Sequence, residues 1–144
     1  MAIIIIDFDN TITKGESYPE IDDIRPRAKE VINKLYDDGH CIIINTCRCD
    51  KEEDDARRWL NYHGVSYCHI NENCEVRKKQ YGNDTRKIGG FVHIDDKNLE
   101  CMYANGKAGV SWDNIESMLE KVLKDAPSHE YCIHRRNFVQ SRKV

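Results

Sequence analysis

Two aspartates spaced by one residue follow four consecutive isoleucines: Ile3-Ile4-Ile5-Ile6-Asp7-Phe8-Asp9-Asn10-Thr11. Two like charges that close cost free energy unless a cation or a shared proton relieves them. Such a pair suits a metal site or a covalent phosphoryl site. A second acidic pair, Asp95-Asp96, ends another apolar run. Thr46 closes a further one, and Lys87 lies just before the run that leads to Asp95.

These residues need elements to position them. The run at 3–6 reads as a strand buried on both faces, as in the middle of a parallel sheet. It delivers Asp7 and Asp9 to the carboxyl end of the strand, where open α/β sheets bind ligands. Alternation along the strand starts both side chains on one side. Pro26 falls where a helix begins. Ala28, Val31, Ile32 and Leu35 form its apolar stripe, and Gly39 suits a left-handed cap. Residues 41–44 predict a second buried strand, running into Asn45 and Thr46. Asp50 and Glu53 resemble a capping box. Ala56, Trp59, Leu60 and His63 make the next stripe, closed by Gly64. Residues 65–70 predict a third strand and 71–86 a polar loop carrying Gly82-Asn83-Asp84. Residues 88–94 predict a fourth strand, weakened by Gly89-Gly90, and 108–112 a short edge strand. Ile115, Met118, Leu119 and Val122 predict a last helix. Alternation of this kind implies right-handed crossovers and a parallel sheet. The expected fold is α/β: one doubly wound, Rossmann-like domain over residues 1–126. A basic tail at 127–144 follows, with Arg135, Arg136, Arg142 and Lys143. In one parallel sheet the carboxyl ends face the same crevice, so the separated polar residues converge.

The chain has 144 residues and a formal net charge of −3, from 22 basic and 25 acidic side chains. This gives no general case for nucleic-acid or membrane attraction. No apolar run approaches the roughly 20 residues of a membrane span. The short isoleucine run has no basic segment before it, so a signal peptide is not expected and a cytoplasmic location is. The seven cysteines then read as reduced thiols, with Cys41, Cys68 and Cys101 in or beside apolar runs. Neither Cys47-Arg48-Cys49 nor Cys132-Ile133-His134 has the usual zinc-ligand spacing.

The ordered motifs resemble the haloacid-dehalogenase superfamily of phosphohydrolases. That family carries Asp-x-Asp-x-Thr/Val after its first strand, matched by Asp7 to Thr11. It has a Ser or Thr ending its second strand, matched by Thr46. A Lys or Arg follows, matched by Lys87 with Arg86 beside it. An acidic pair closes the set, matched by Asp95 and Asp96. The resemblance spans about residues 3 to 98. It implies that Asp7 is a nucleophile forming an aspartyl-phosphate and Asp9 the general acid and base. It implies that Thr46 and nearby backbone N–H groups bind phosphoryl oxygens, and that Lys87 neutralises charge. Asn10, Thr11, Asn45 and Arg48 are the expected substrate contacts; Arg48 could grip phosphate in bidentate fashion. Mg²⁺ would be held by Asp7, the Asp9 carbonyl and Asp95, with Asp96 a further ligand or the holder of a bound water.

One helix, one strand and a loop fill each stretch from Thr11 to Thr46 and from Thr46 to Lys87, leaving no room for a folded cap. A capless site admits a phosphorylated macromolecule end. Walled by the loops at 13–25 and 71–86 or by a second subunit of a homo-oligomer, it would admit only a phosphorylated small molecule. The acidic loop (Glu16, Glu20, Asp22, Asp23) argues mildly against nucleic acid there. Two other function classes compete: a signalling module that keeps phosphate on an aspartate, and a non-catalytic binding protein on the same fold.

Overall fold

Four short strands organise the chain in a computed structural model that describes residues 1–15 and 17–127. The expected basic tail, from residue 128 on, lies outside the described residues. The strands are β1 (Ile3–Ile6), β2 (Cys41–Ile44), β3 (His69–Ile70) and β4 (Val92–Ile94). All pairings are parallel, in the order β3-β2-β1-β4. Ile3 lies opposite Cys41 and Ile4 opposite Val92. β1 is therefore flanked on both edges, and all four of its isoleucines are buried. Each is worth about 1.5–3 kcal/mol relative to an exposed one, which seats β1 at the centre.

Among the described residues there are five α-helices: α1 (Ala28–Asp37), α2 (Asp50–His63), α3 (Glu75–Tyr81), α4 (Leu99–Asn105) and α5 (Trp112–Val122). Ile4, Ile6, Ile42 and Ile44 share the larger core with Val31 and Ile32 of α1, Leu60 of α2, and Trp112 and Leu119 of α5. Ile3, Ile5, Cys41 and Ile43 point the other way, into a smaller cluster with Cys74 and Ile88. Helices therefore cover one face, and the segment leading into α3 covers the other. The chain winds from β1 out to β3, then returns past β1 to β4. That reversal opens a crevice between the carboxyl ends of β1 and β4.

Several local expectations are corrected. The segment 71–86 is not all loop, because α3 forms within it. It has no buried residue, so no apolar stripe announced it. β3 and β4 are shorter than 65–70 and 88–94. Gly90 lies close against β1: a Cβ there would meet the Ile3 carbonyl at 2.9 Å. Residues 108–112 form no edge strand; a 3₁₀ turn (Gly106–Ala108) precedes α5. No capping box opens α2. Cys49 holds the cap position without a side-chain bond, and Glu53 accepts from Asn71 instead. Gly64 does end α2 in the left-handed conformation.

Candidate functional site

β1 ends where the chain must turn. The Phe8 carbonyl accepts from the N–H groups of Thr11, Ile12 and Thr13. This tight turn keeps Asp7 at the rim while sending Asp9 elsewhere. The Asp7 N–H donates to the Ile94 carbonyl at 2.9 Å, which ties Asp7 to β4. Asp95 and Asp96 follow Ile94 directly. Carboxylate oxygens of Asp7, Asp95 and Asp96 lie within 4.8 Å of one another. Burial, and then the Asp95 charge, push the Asp7 carboxyl up to about 8. Burial also raises Asp95. Three carboxylates held this close form a hard-oxygen donor set, which fits Mg²⁺.

Thr11 is fully buried. Its hydroxyl lies 2.9 Å from an Asp7 oxygen, donating to it, and accepts the Asp96 N–H at 3.0 Å. The Thr11 carbonyl in turn accepts from the Trp112 indole at 2.8 Å. Asn10, at φ 59, donates to Asp96 at 3.0 Å. Its own amide oxygen accepts from Arg25, which also donates to the Thr13, Ala108 and Val110 carbonyls. Thr11 and Asn10 were expected to meet substrate. Thr11 instead holds the carboxylates and has no exposed surface with which to reach a ligand; Asn10, partly exposed, also holds Asp96.

Arg48 requires a similar correction. Its guanidinium is buried and binds both Asp9 oxygens, at 2.8 and 2.7 Å. It also donates to the Pro19 and Glu20 carbonyls, at 2.9 and 3.1 Å. Pro19 and Glu20 sit in a flap whose arms meet where Thr13 pairs antiparallel with Ile24. One side chain thus fastens the turn after β1, the loop after β2 and this flap. It faces protein rather than open solvent. Asp9 points at Arg48, and its carboxylate is not in the acidic cluster.

Thr46 lies at the rim after β2. Its hydroxyl accepts the Arg48 N–H at 3.2 Å, so its proton remains available to donate. Its own N–H donates to Asn71 at 2.8 Å. The N–H groups of Thr46 and Arg48 are therefore engaged within the protein. Asn45 is exposed beside them. Lys87 stands apart. It is exposed and lines a groove with Arg77, Tyr81 and His93, where burial, and then the Lys87 charge, lower His93. Asp7 feels the charges of Asp95 and Asp96 instead.

Sequence reasoning missed Arg25, Asn71 and Trp112. Asn71 carried one signal, its place at the end of the third strand. There its side chain also donates to the Arg48 carbonyl at 3.1 Å and to Glu53 at 2.9 Å.

Comparison with known proteins agrees with this layout. The family described as PITM 1-3, LNS2 domain, matches residues 4–122. A solved structure of a conserved protein from Bacteroides thetaiotaomicron superposes with a TM-score of 0.68 at 26% identity, covering 83% of this chain and 90% of that one. No curated protein matches the chain. Among the described residues no helix is long and apolar enough to cross a membrane.

Proposed function

The chain belongs to the PITM 1-3 LNS2 domain family, a family of the haloacid-dehalogenase-like phosphatase fold, and from that membership we propose that it is a Mg²⁺-dependent phosphomonoester hydrolase of capless type. The observation that carries the reading is the meeting of Asp7, Asp95 and Asp96 where β1 and β4 part. Asp7 is the nucleophile and forms the aspartyl-phosphate. Its lateral freedom is removed by the Thr11 hydroxyl. Asp7, Asp95 and the Asp9 carbonyl would hold Mg²⁺, with Asp96, fixed by Asn10 and Thr11, supporting them. When bound, Mg²⁺ offsets the charge of nucleophile and phosphoryl group. The Thr46 hydroxyl donates to a phosphoryl oxygen. Lys87 must swing from its groove to contribute. Asp9 protonates the leaving oxygen and then activates water, which requires it to turn away from Arg48.

Purified protein with Mg²⁺ should release phosphate from p-nitrophenyl phosphate, and Asp7→Asn should abolish release. No phosphate from the wild type across nucleotides, sugar phosphates, phosphorylated cofactors and nucleic-acid ends would sink the proposal. The Arg48 clamp on Asp9 favours one second reading. If Asp9 stays clamped, phosphate remains on Asp7 and the domain acts as a phospho-accepting signal. A stable phosphoprotein with negligible turnover distinguishes it.

A further inference from the structure

A second constellation, made of residues separate from the acidic rim, lies at the smaller core. Cys41 opens β2, His69 opens β3, and Cys74 directly precedes α3. Parallel pairing puts His69 opposite Ile43. Side chains two apart on a strand share a face, so Cys41, Ile43 and His69 all point into the smaller core. All three potential ligands are buried, and one ligand atom from each lies within 4.8 Å of the other two. The spacing 41, 69, 74 matches no short zinc motif, which is why only the fold reveals it.

We propose that Cys41, His69 and Cys74 bind a zinc ion. The chemistry of the donors selects the metal. Two thiolates and an imidazole are soft to borderline ligands, unsuited to Mg²⁺ and suited to Zn²⁺. Two thiolates also cancel the charge of a divalent ion, so the buried site is neutral when filled. Tetrahedral zinc with Zn–S bonds of about 2.3 Å holds its ligand atoms roughly 3.8 Å apart. The cluster therefore needs to contract by about an ångström at most. A water would complete the tetrahedron.

The surroundings are arranged for such a ligand set. Glu72 lies 3.2 Å from His69 Nδ1. A carboxylate there accepts the Nδ1–H hydrogen bond and so leaves Nε2 free to ligate, the usual support for a zinc-bound histidine. Glu72 is itself held by Lys78 at 2.8 Å. The site also answers a packing question. β3 has two residues and α3 buries none. A zinc ion joining β2, β3 and the start of α3 would anchor both.

The test uses the full chain, loaded with Zn²⁺ or Co²⁺ in excess Mg²⁺ under reducing conditions. One zinc per chain is expected, and zinc-edge X-ray absorption should give two sulfurs at about 2.3 Å with nitrogen or oxygen at about 2.0 Å. Co²⁺ should give a thiolate charge-transfer band. Cys74→Ser and Cys41→Ser should remove that band. Cys47→Ser, Cys49→Ser, Cys132→Ser and Asp95→Asn should keep it. Glu72→Gln, at a partly exposed position, should weaken zinc binding about 10–100-fold. A wild-type absorption spectrum with only oxygen and nitrogen neighbours overturns the proposal, even where the cysteine variants do not fold. So does loss of the band in Cys132→Ser with its retention in Cys74→Ser, or a Cys41–Cys74 disulfide that persists under reduction.

Discussion

Replacing Arg48 tests the architecture of the rim more directly than replacing any acid. The guanidinium makes four hydrogen bonds: two to Asp9 and one each to the carbonyls of Pro19 and Glu20. Hydrogen bonds to charged groups are worth about 1.5–3 kcal/mol each, but bonds sharing one group do not add. Truncating one partner of a buried ion pair costs about 3–5 kcal/mol. The Asp9 side chain is 28% exposed, so water can recover part of what it loses. Arg48→Ala should therefore cost about 3 kcal/mol, near the lower end of that range. For a domain of this size that lowers Tm by about 6–12 °C. Arg48→Lys keeps the charge but not the fork and should restore no more than about half of the loss. The assay is urea unfolding followed by far-ultraviolet circular dichroism, with phosphate release measured in parallel. If both variants unfolded within about 0.5 kcal/mol of the wild type, as ordinary surface changes do, Arg48 would not be the clamp described.

Other perturbations probe other joints. Thr11→Val removes the hydroxyl shared by Asp7 and the Asp96 N–H; leaving a buried N–H unpaired should cost about 1–3 kcal/mol and weaken Mg²⁺ binding, read by calorimetric titration. Trp112→Phe orphans the Thr11 carbonyl and should cost about 1–3 kcal/mol in the same unfolding assay. Gly90→Ala places a methyl 2.9 Å from the Ile3 carbonyl and the Ile5 side chain, an overpacking expected to cost about 1–3 kcal/mol. In chelator, the folded chain keeps its Asp7 proton up to about pH 8, whereas the unfolded chain loses it near 3.8. The folded state then binds more protons between those values, so its stability should fall as pH rises from about 4 to about 8. Mg²⁺ should flatten that slope; an unchanged slope in urea titrations at pH 5 and pH 8, with and without Mg²⁺, would remove the cation from Asp7.

The sheet was legible because its strands are apolar on both faces. Such runs have few readings, and the isoleucines of β1 and β2 leave none but a sheet centre. Asp7, Asp95 and Asp96 were legible for the same reason, since each ends a run whose direction the topology sets. α3 and α4 were not, because neither buries a residue and apolar periodicity is the signal that marks a helix. The capping box at Asp50 and Glu53 failed to tertiary competition: Asn71, distant in sequence, claims the Glu53 carboxylate.

The positioning residues were harder still, and the reason is chemical. A phosphoryl-transfer rim needs carboxylates and a hydroxyl, so residue type announces the role. Holding those groups needs only a donor of the right reach, and an arginine, an asparagine or an indole each serves. Arg25 acts on Asp96 through Asn10, Trp112 acts on Asp7 through Thr11, and Asn71 acts on Thr46 and Arg48. Each works at one remove across a long sequence separation, so no local pattern records it. The same reasoning explains why Thr11, two residues after Asp9, and Arg48, two residues after Thr46, read as substrate contacts: their types allow that role, and only burial assigns them to the scaffold.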